Sequence, residues 1–240
     1  MTGVSDSLPQ QAVGNHVLAR LPAEEFRRLG PRLARVELET GQVLYGSEEP
    51  VGQVFFVERA LVSLLSTLAD GTAIEVAAVG REGVGGLTAI LGGGASPHQA
   101  VAQVGGPALR MRGPEARAAF HELPHFRAGV LRYAHLLLTQ ISQTAVCNAL
   151  HTVEQRLASW LVLCSRRLEA DRLPLTHEYL AHMLGVRRSG VTVASGVLER
   201  AGLIEHSRGR ITVLDAAGLR GAACECVRSL TDEFEEFLSA

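Results

Sequence analysis

Leu173-Pro174-Leu175-Thr176 opens the stretch that decides the fold. His177–Leu184, Gly185, Val186-Arg187-Arg188-Ser189-Gly190, Val191–Arg200 and the run from Ala201 to Leu214 follow it. Thr176 stands where a helix needs an oxygen to accept a first-turn amide, and Gly185 supplies a tight turn after eight residues of helical pattern. The second helix is two-sided. Val191, Ala194, Val197, Leu198 and Ala201 form an apolar side, and Arg188, Ser189, Thr192 and Ser195 a short, polar side without acids. That polar side suits a major groove about 12 Å wide, because short side chains let the backbone approach and an arginine can reach two acceptors on guanine. Beyond Ala201-Gly202, Leu203–Leu214 reads as a hairpin with Arg208 and Arg210 at its tip, placed for phosphate contacts. The expected unit is a winged helix-turn-helix. Its candidate DNA-facing residues are Thr176, Arg187, Arg188, Ser189, Thr192, Ser195, Arg208 and Arg210.

Upstream, Val36–Met111 consists of short apolar runs at Gln42–Tyr45, Val54–Val57, Leu61–Leu68, Ala73–Val79 and Ala100–Val104, cut by turn residues. Asp70-Gly71 is a hairpin signal, since a type I′ turn needs positive φ at both central positions. Even spacing of short strands predicts an antiparallel jelly roll. The class is therefore α+β. A helix is expected over Pro22–Leu33, and a long helix begins after Pro124, where proline is absent up to Arg167 and Gly129 is the only glycine. Within it Leu131, Ala134, Leu138, Ile141, Ala145 and Asn148 recur at alternating steps of three and four, and Val130 and Leu137 widen the stripe. That spacing fits a helix paired with its copy or a helix packed on its own domain, and the terminal Asn favours the pair. A second helix, Val153–Arg167, starts the C-terminal module. The division expected is 1–124 for the β domain, 125–150 for the dimerisation helix and 151–240 for the winged helix.

The 240 residues carry a formal charge of −2, unevenly spread. Nine arginines face six acids in 151–214, whereas two face six in 215–240, so the positive surplus coincides with the winged helix. All 23 basic residues are arginine. No apolar run reaches eighteen residues, and Met1–Gln11 lacks the basic and apolar regions of a signal peptide, so a cytoplasmic protein with no membrane partner is expected. Four cysteines, Cys147, Cys164, Cys224 and Cys226, include no Cys-x-x-Cys pair. Cys224 and Cys226, two apart in one expected helix, point to different faces and read as structural thiols, with redox sensing left open. No metal ligand set is assigned.

Residues 175–188, with Leu198–Ile204 and Arg208–Ile211, resemble the winged helix of the Crp/Fnr transcription regulators, and the order of parts along the chain is similar too. The resemblance implies a homodimer that binds a two-fold symmetric operator on double-stranded DNA near RNA polymerase, with a signal sensed at the jelly roll. It implies that Arg188 is the guanine-reading arginine. Ser189 and Val193 replace the glutamate and second arginine of the best-known members, so base contacts from Arg188, Ser189 and Thr192 to a different half-site are expected. In the effector region, Glu82, Gly85, Gly86, Leu87, His98 and Gln99 occupy the cyclic-nucleotide pocket positions. Leu87 stands for the ribose carboxylate and His98 for the phosphate arginine, although Glu82 allows another alignment. A leucine accepts no hydroxyl bond and a neutral imidazole replaces a bidentate fork poorly, so cAMP is not the expected effector. The family's iron–sulfur cluster is not expected either, because no cysteine precedes Cys147.

Two other readings exist. A cupin-type metal enzyme needs clustered His and Glu ligands on neighbouring strands, and His98 is the only histidine in 36–111. A winged helix used solely for protein contacts leaves Arg188, Arg208 and Arg210 without a task. No cofactor and no catalytic residue are assigned.

Overall fold

The computed structural model describes residues 8–69 and 71–239. Asp70, half of the expected hairpin signal, and the first seven residues of the N-terminal segment lie outside the described residues. The chain forms two compact units: one runs to Val62 and takes in Val79–His135, the other joins Ser63–Ala78 to Leu136 onward.

The first unit begins with α1 (His16–Ala19) and α2 (Ala23–Leu29); of the elements named next, residues 63–67 of β4, 73–78 of β5 and α5 from Leu136 onward belong to the second unit. The helix expected over Pro22–Leu33 ends early, because Gly30-Pro31-Arg32 tightens into a 3-10 turn. Strands β1 (Ala34–Leu38), β2 (Val43–Tyr45), β3 (Gln53–Val57), β4 (Leu61–Thr67), β5 (Ala73–Val79) and β6 (Val84–Gly85) follow. Then come α3 (Leu87–Leu91), β7 (Gln99–Val104), β8 (Gly106–Arg112), α4 (Gly113–Glu122) and α5 (Pro124–Leu150). Four of these strands make one sheet of the first unit, ordered β1-β8-β3-β6. β8 pairs antiparallel with β1 and with β3, as at Val36↔Ala108 and Phe56↔Leu109, and β3 pairs antiparallel with β6.

Two polar side chains fix the helices of this unit. Asn15 is fully buried; its amide donates to the carbonyls of Val57 (2.9 Å) and Gly83 (2.8 Å), and its oxygen caps α1 at Leu18 N. Glu25 accepts from the backbone amides of His125 (3.1 Å) and Phe126 (3.0 Å), closing two open donors at the start of α5. Burial pushes its carboxyl up, but the bonds from His125 and these two amides outweigh burial and hold it below its ordinary value.

In the second unit, α6 (Val153–Leu168) starts at a capping box in which Thr152 and Gln155 exchange bonds, which is why the helical stretch breaks after α5. β9 (Arg172–Leu173), α7 (His177–Leu184), α8 (Arg188–Arg200), β10 (Ile204–Ser207), β11 (Arg210–Val213), α9 (Ala216–Ala222) and α10 (Cys226–Ser239) complete it. α6 packs on α8 and α7, and Leu157 and Leu161 of α6, Val191, Ala194 and Leu198 of α8 and Leu180 of α7 are all buried.

Residues 63–78, expected with the β domain, group instead with the C-terminal residues, and hydrogen bonds supply the reason. Glu75 accepts from Trp160 Nε1 (3.0 Å) on α6 and from Ser63 Oγ, which also meets Tyr179 Oη of α7 at 3.1 Å. Burial pushes the Glu75 carboxyl up to about 7, against the lowering effects of Ser63, Trp160 and Arg167. A carboxyl raised on folding adds stability that is full below about pH 4.5 and is lost as pH rises through about 7. Glu75→Gln keeps an acceptor for Trp160 and removes the charge. In thermal melts between pH 5 and 8 the variant is expected to gain on the parent as pH rises, and to be the more stable protein at pH 8. Asn15→Ala, which orphans buried carbonyls, is expected to cost about 2–4 kcal/mol in denaturant unfolding.

Candidate nucleic-acid interface

Thr176 Oγ1 accepts from Tyr179 N (3.1 Å) and so starts α7. Gly185 ends it in the left-handed region at φ +60°, where the next amide, Val186 N, returns to Ala181 O (3.0 Å). This turn aims α8. Arg187, Arg188, Ser189 and Thr192 are all exposed, and Thr192 Oγ1 donates to Arg188 O (3.1 Å). Ser195 is a correction: it is 1% exposed and lies inside the unit. Four residues on from Val191, it shares that residue's inner face. Val197, expected inside, is 38% exposed, and Val193 is 62% exposed beside Ser189 and Thr192 on the outer face.

The wing is β10 and β11, paired from Ile204↔Val213 to Ser207↔Arg210, with Gly209 at φ +70° in the two-residue turn. β9 adds a third strand through Leu173↔Ile211. Arg208 and Arg210 are exposed at the tip. Among the described residues, none of Arg187, Arg188, Arg208 and Arg210 forms an ion pair, so their charge is uncompensated locally.

Sequence reasoning missed the link between wing and helix. The rings of His177 and His206 stack at 4.1 Å, His177 Nδ1 meets Thr192 Oγ1 at 3.3 Å, and His206 N donates to Glu199 Oε1 at 2.7 Å. Burial, then the charges of His206 and Arg188, push the His177 imidazole below its ordinary value. The two histidines are 29 positions apart in the chain, and no periodic pattern joins them.

The effector-region residues lie in strands, turns and the short helix of the first unit. Glu82 is buried and accepts from Gly80 N (2.9 Å). Gly86, at φ +85°, donates to Tyr45 Oη (3.0 Å), and a Cβ there would lie 2.7 Å from Gln53 O. Gly85 pairs with Phe55, Leu87 opens α3, and Gln99 opens β7. His98 is half-buried, its Nδ1 is enclosed without a hydrogen-bond partner among the described residues, and burial pushes its imidazole down.

Along α5, Leu131 (50%) and Leu138 (64%) are exposed, as are Ala145 and Asn148, and Ala134 and Ile141 are half-buried. Val130 is fully buried in its own unit and does not widen that stripe. Cys224 and Cys226 also need correction: α10 begins at Cys226 and Cys224 precedes it, so helical spacing does not separate them.

Residues 35–122 match the cyclic nucleotide-binding domain and residues 155–222 the Crp-like helix-turn-helix domain. The global nitrogen regulator of Synechocystis sp. is 24% identical over 209 residues, covering 82% of this chain and 93% of that protein. A Crp/Fnr-family transcriptional regulator from Thermus thermophilus is 26% identical with a TM-score of 0.66, covering 79% of this chain and 98% of that one. FixK2 from Bradyrhizobium japonicum shares the fold at 18% identity and a TM-score of 0.69, with coverage of 80% and 98%. Both domains are matched in the family's order, over most of the chain, and the chain belongs to the Crp/Fnr family of DNA-binding transcription regulators.

Proposed function

We propose that the protein works as a homodimer on a two-fold symmetric operator, with Arg188, Ser189 and Thr192 reading base edges and Arg208 and Arg210 gripping phosphates. The observation that carries this reading is the outer face of α8: exposed, short-chained after Arg188, and flanked by four arginines without ion-pair partners among the described residues. Thr176 and Arg187 stand at the starts of α7 and α8 and are assigned to backbone contacts. Val193 adds an apolar contact of the kind that fits a thymine methyl. Dimerisation is assigned to the α5 stripe at Leu131, Ala134, Leu138, Ile141, Ala145 and Asn148, whose exposed leucines a second copy would cover. The signal is assigned to a ligand other than cAMP, on the ground of Leu87 and His98, and the regulated step to transcription by RNA polymerase near the operator.

Arg188→Ala is expected to cost about 1–3 kcal/mol on the selected site and to relax base preference at one position. Arg208→Ala is expected to weaken binding evenly across sequences and lower the salt slope by about one. Fluorescence anisotropy on matched and scrambled duplexes over a salt series separates the two. Equal losses on all sequences for both variants would contradict the assignment of α8 as the reading helix. Leu138→Glu is expected to shift the protein from dimer to monomer in sedimentation equilibrium and to abolish two-fold operator binding while leaving each fold intact.

A further inference from the structure

Three thiols and an imidazole, from two short stretches far apart in sequence, meet in the second unit. The candidate ligand atoms of Cys147, His151, Cys224 and Cys226 all lie within 4.8 Å of one another. Cys147 Sγ stands 3.5 Å from Cys224 Sγ, and His151 Nδ1 stands 3.7 Å from Cys226 Sγ. A tetrahedral ion with metal–sulfur bonds near 2.3 Å separates its ligand atoms by about 3.8 Å, which both distances approach. All four cysteines of the chain are unbridged.

We propose that these four residues form a Cys3His site for a thiophilic divalent cation of the zinc class. Cys147 and His151 are four apart, and His151 N still bonds to Cys147 O (3.2 Å), so the end of α5 presents both on one side. Cys224 and Cys226 come from the joint between α9 and α10, and both are 2% exposed. The surroundings supply what such a site needs. His151 turns its other nitrogen, Nε2, to the Glu225 carboxylate at 3.3 Å, the outer partner that fixes the ring's tautomer for a metal ligand. Ser159 Oγ lies 3.1 Å from Cys224 Sγ, and the charge of Arg156 acts on Cys147 and Cys224. Three thiolates around a divalent ion leave one negative charge, which that guanidinium offsets. The narrow span favours a single ion over a four-iron cube, whose ligands spread around a wide core. Bound metal would pin the α5–α6 joint to the α9–α10 joint.

The test is anaerobic titration of chelator-stripped, reduced full-length protein with Co²⁺, followed by Zn²⁺. Expected are one equivalent per chain, the intense visible bands of tetrahedral thiolate-bound Co²⁺, their displacement by Zn²⁺, and a raised melting temperature. Cys226→Ser is expected to lose the bands, Glu225→Gln to weaken Co²⁺ binding by about 10–100-fold, and Cys164→Ala, which removes the cysteine outside the cluster, to keep the stoichiometry. Because Glu225 is exposed, its variant reports on the site without a folding defect. The proposal is overturned by folded protein with four titratable thiols that takes up neither ion, by pale octahedral Co²⁺ spectra unchanged in Cys226→Ser, or by an iron–sulfide chromophore in anaerobically isolated protein.

Discussion

The packing of α8 on α6 is the contact on which the DNA-binding half depends. Val191, Ala194 and Leu198 are almost fully buried against the apolar side of α6, where Leu157 and Leu161 are wholly enclosed. Burying each such leucine is worth about 1.5–3 kcal/mol. The same contact fixes the rotation of α8 about its axis. With the inner face committed, Arg188, Ser189, Thr192 and Val193 must point outward, and the wing follows because β11 pairs with β9 ahead of α7.

That division of one helix into a packed face and a free face was legible in the sequence, because apolar residues recur with the helical period. The strands were legible where turn residues flanked them, as at β3 and β5. Ser195 was misplaced for a specific reason. Its chemistry suits a polar face, but its position, four after Val191, is interior, and periodicity outranked residue type. The short α3 had no such signal: five residues between glycines carry too little pattern to show a helix.

The features that were not legible are convergences between residues distant in the chain. Glu75 meets Trp160 across 85 positions, His177 meets His206 across the whole of α8, and the cysteine–histidine cluster joins Cys147 to residues more than seventy positions later. No spacing rule covers such pairs, since the fold and not the local chain sets their distance. Each involves titratable groups in a restricted environment. The outer arginines differ: they are exposed and, among the described residues, without ion-pair partners, so they are held by no packed network.

The most direct measurement of the central claim is selection of duplexes from a random library by the purified protein without added ligand, then repeated with cell extract metabolites. The account predicts an enriched site of two inverted half-sites about one helical turn apart, differing from the half-site of the family's best-known members at positions read by Ser189 and Val193. A folded, dimeric protein that enriches no sequence under either condition would contradict it.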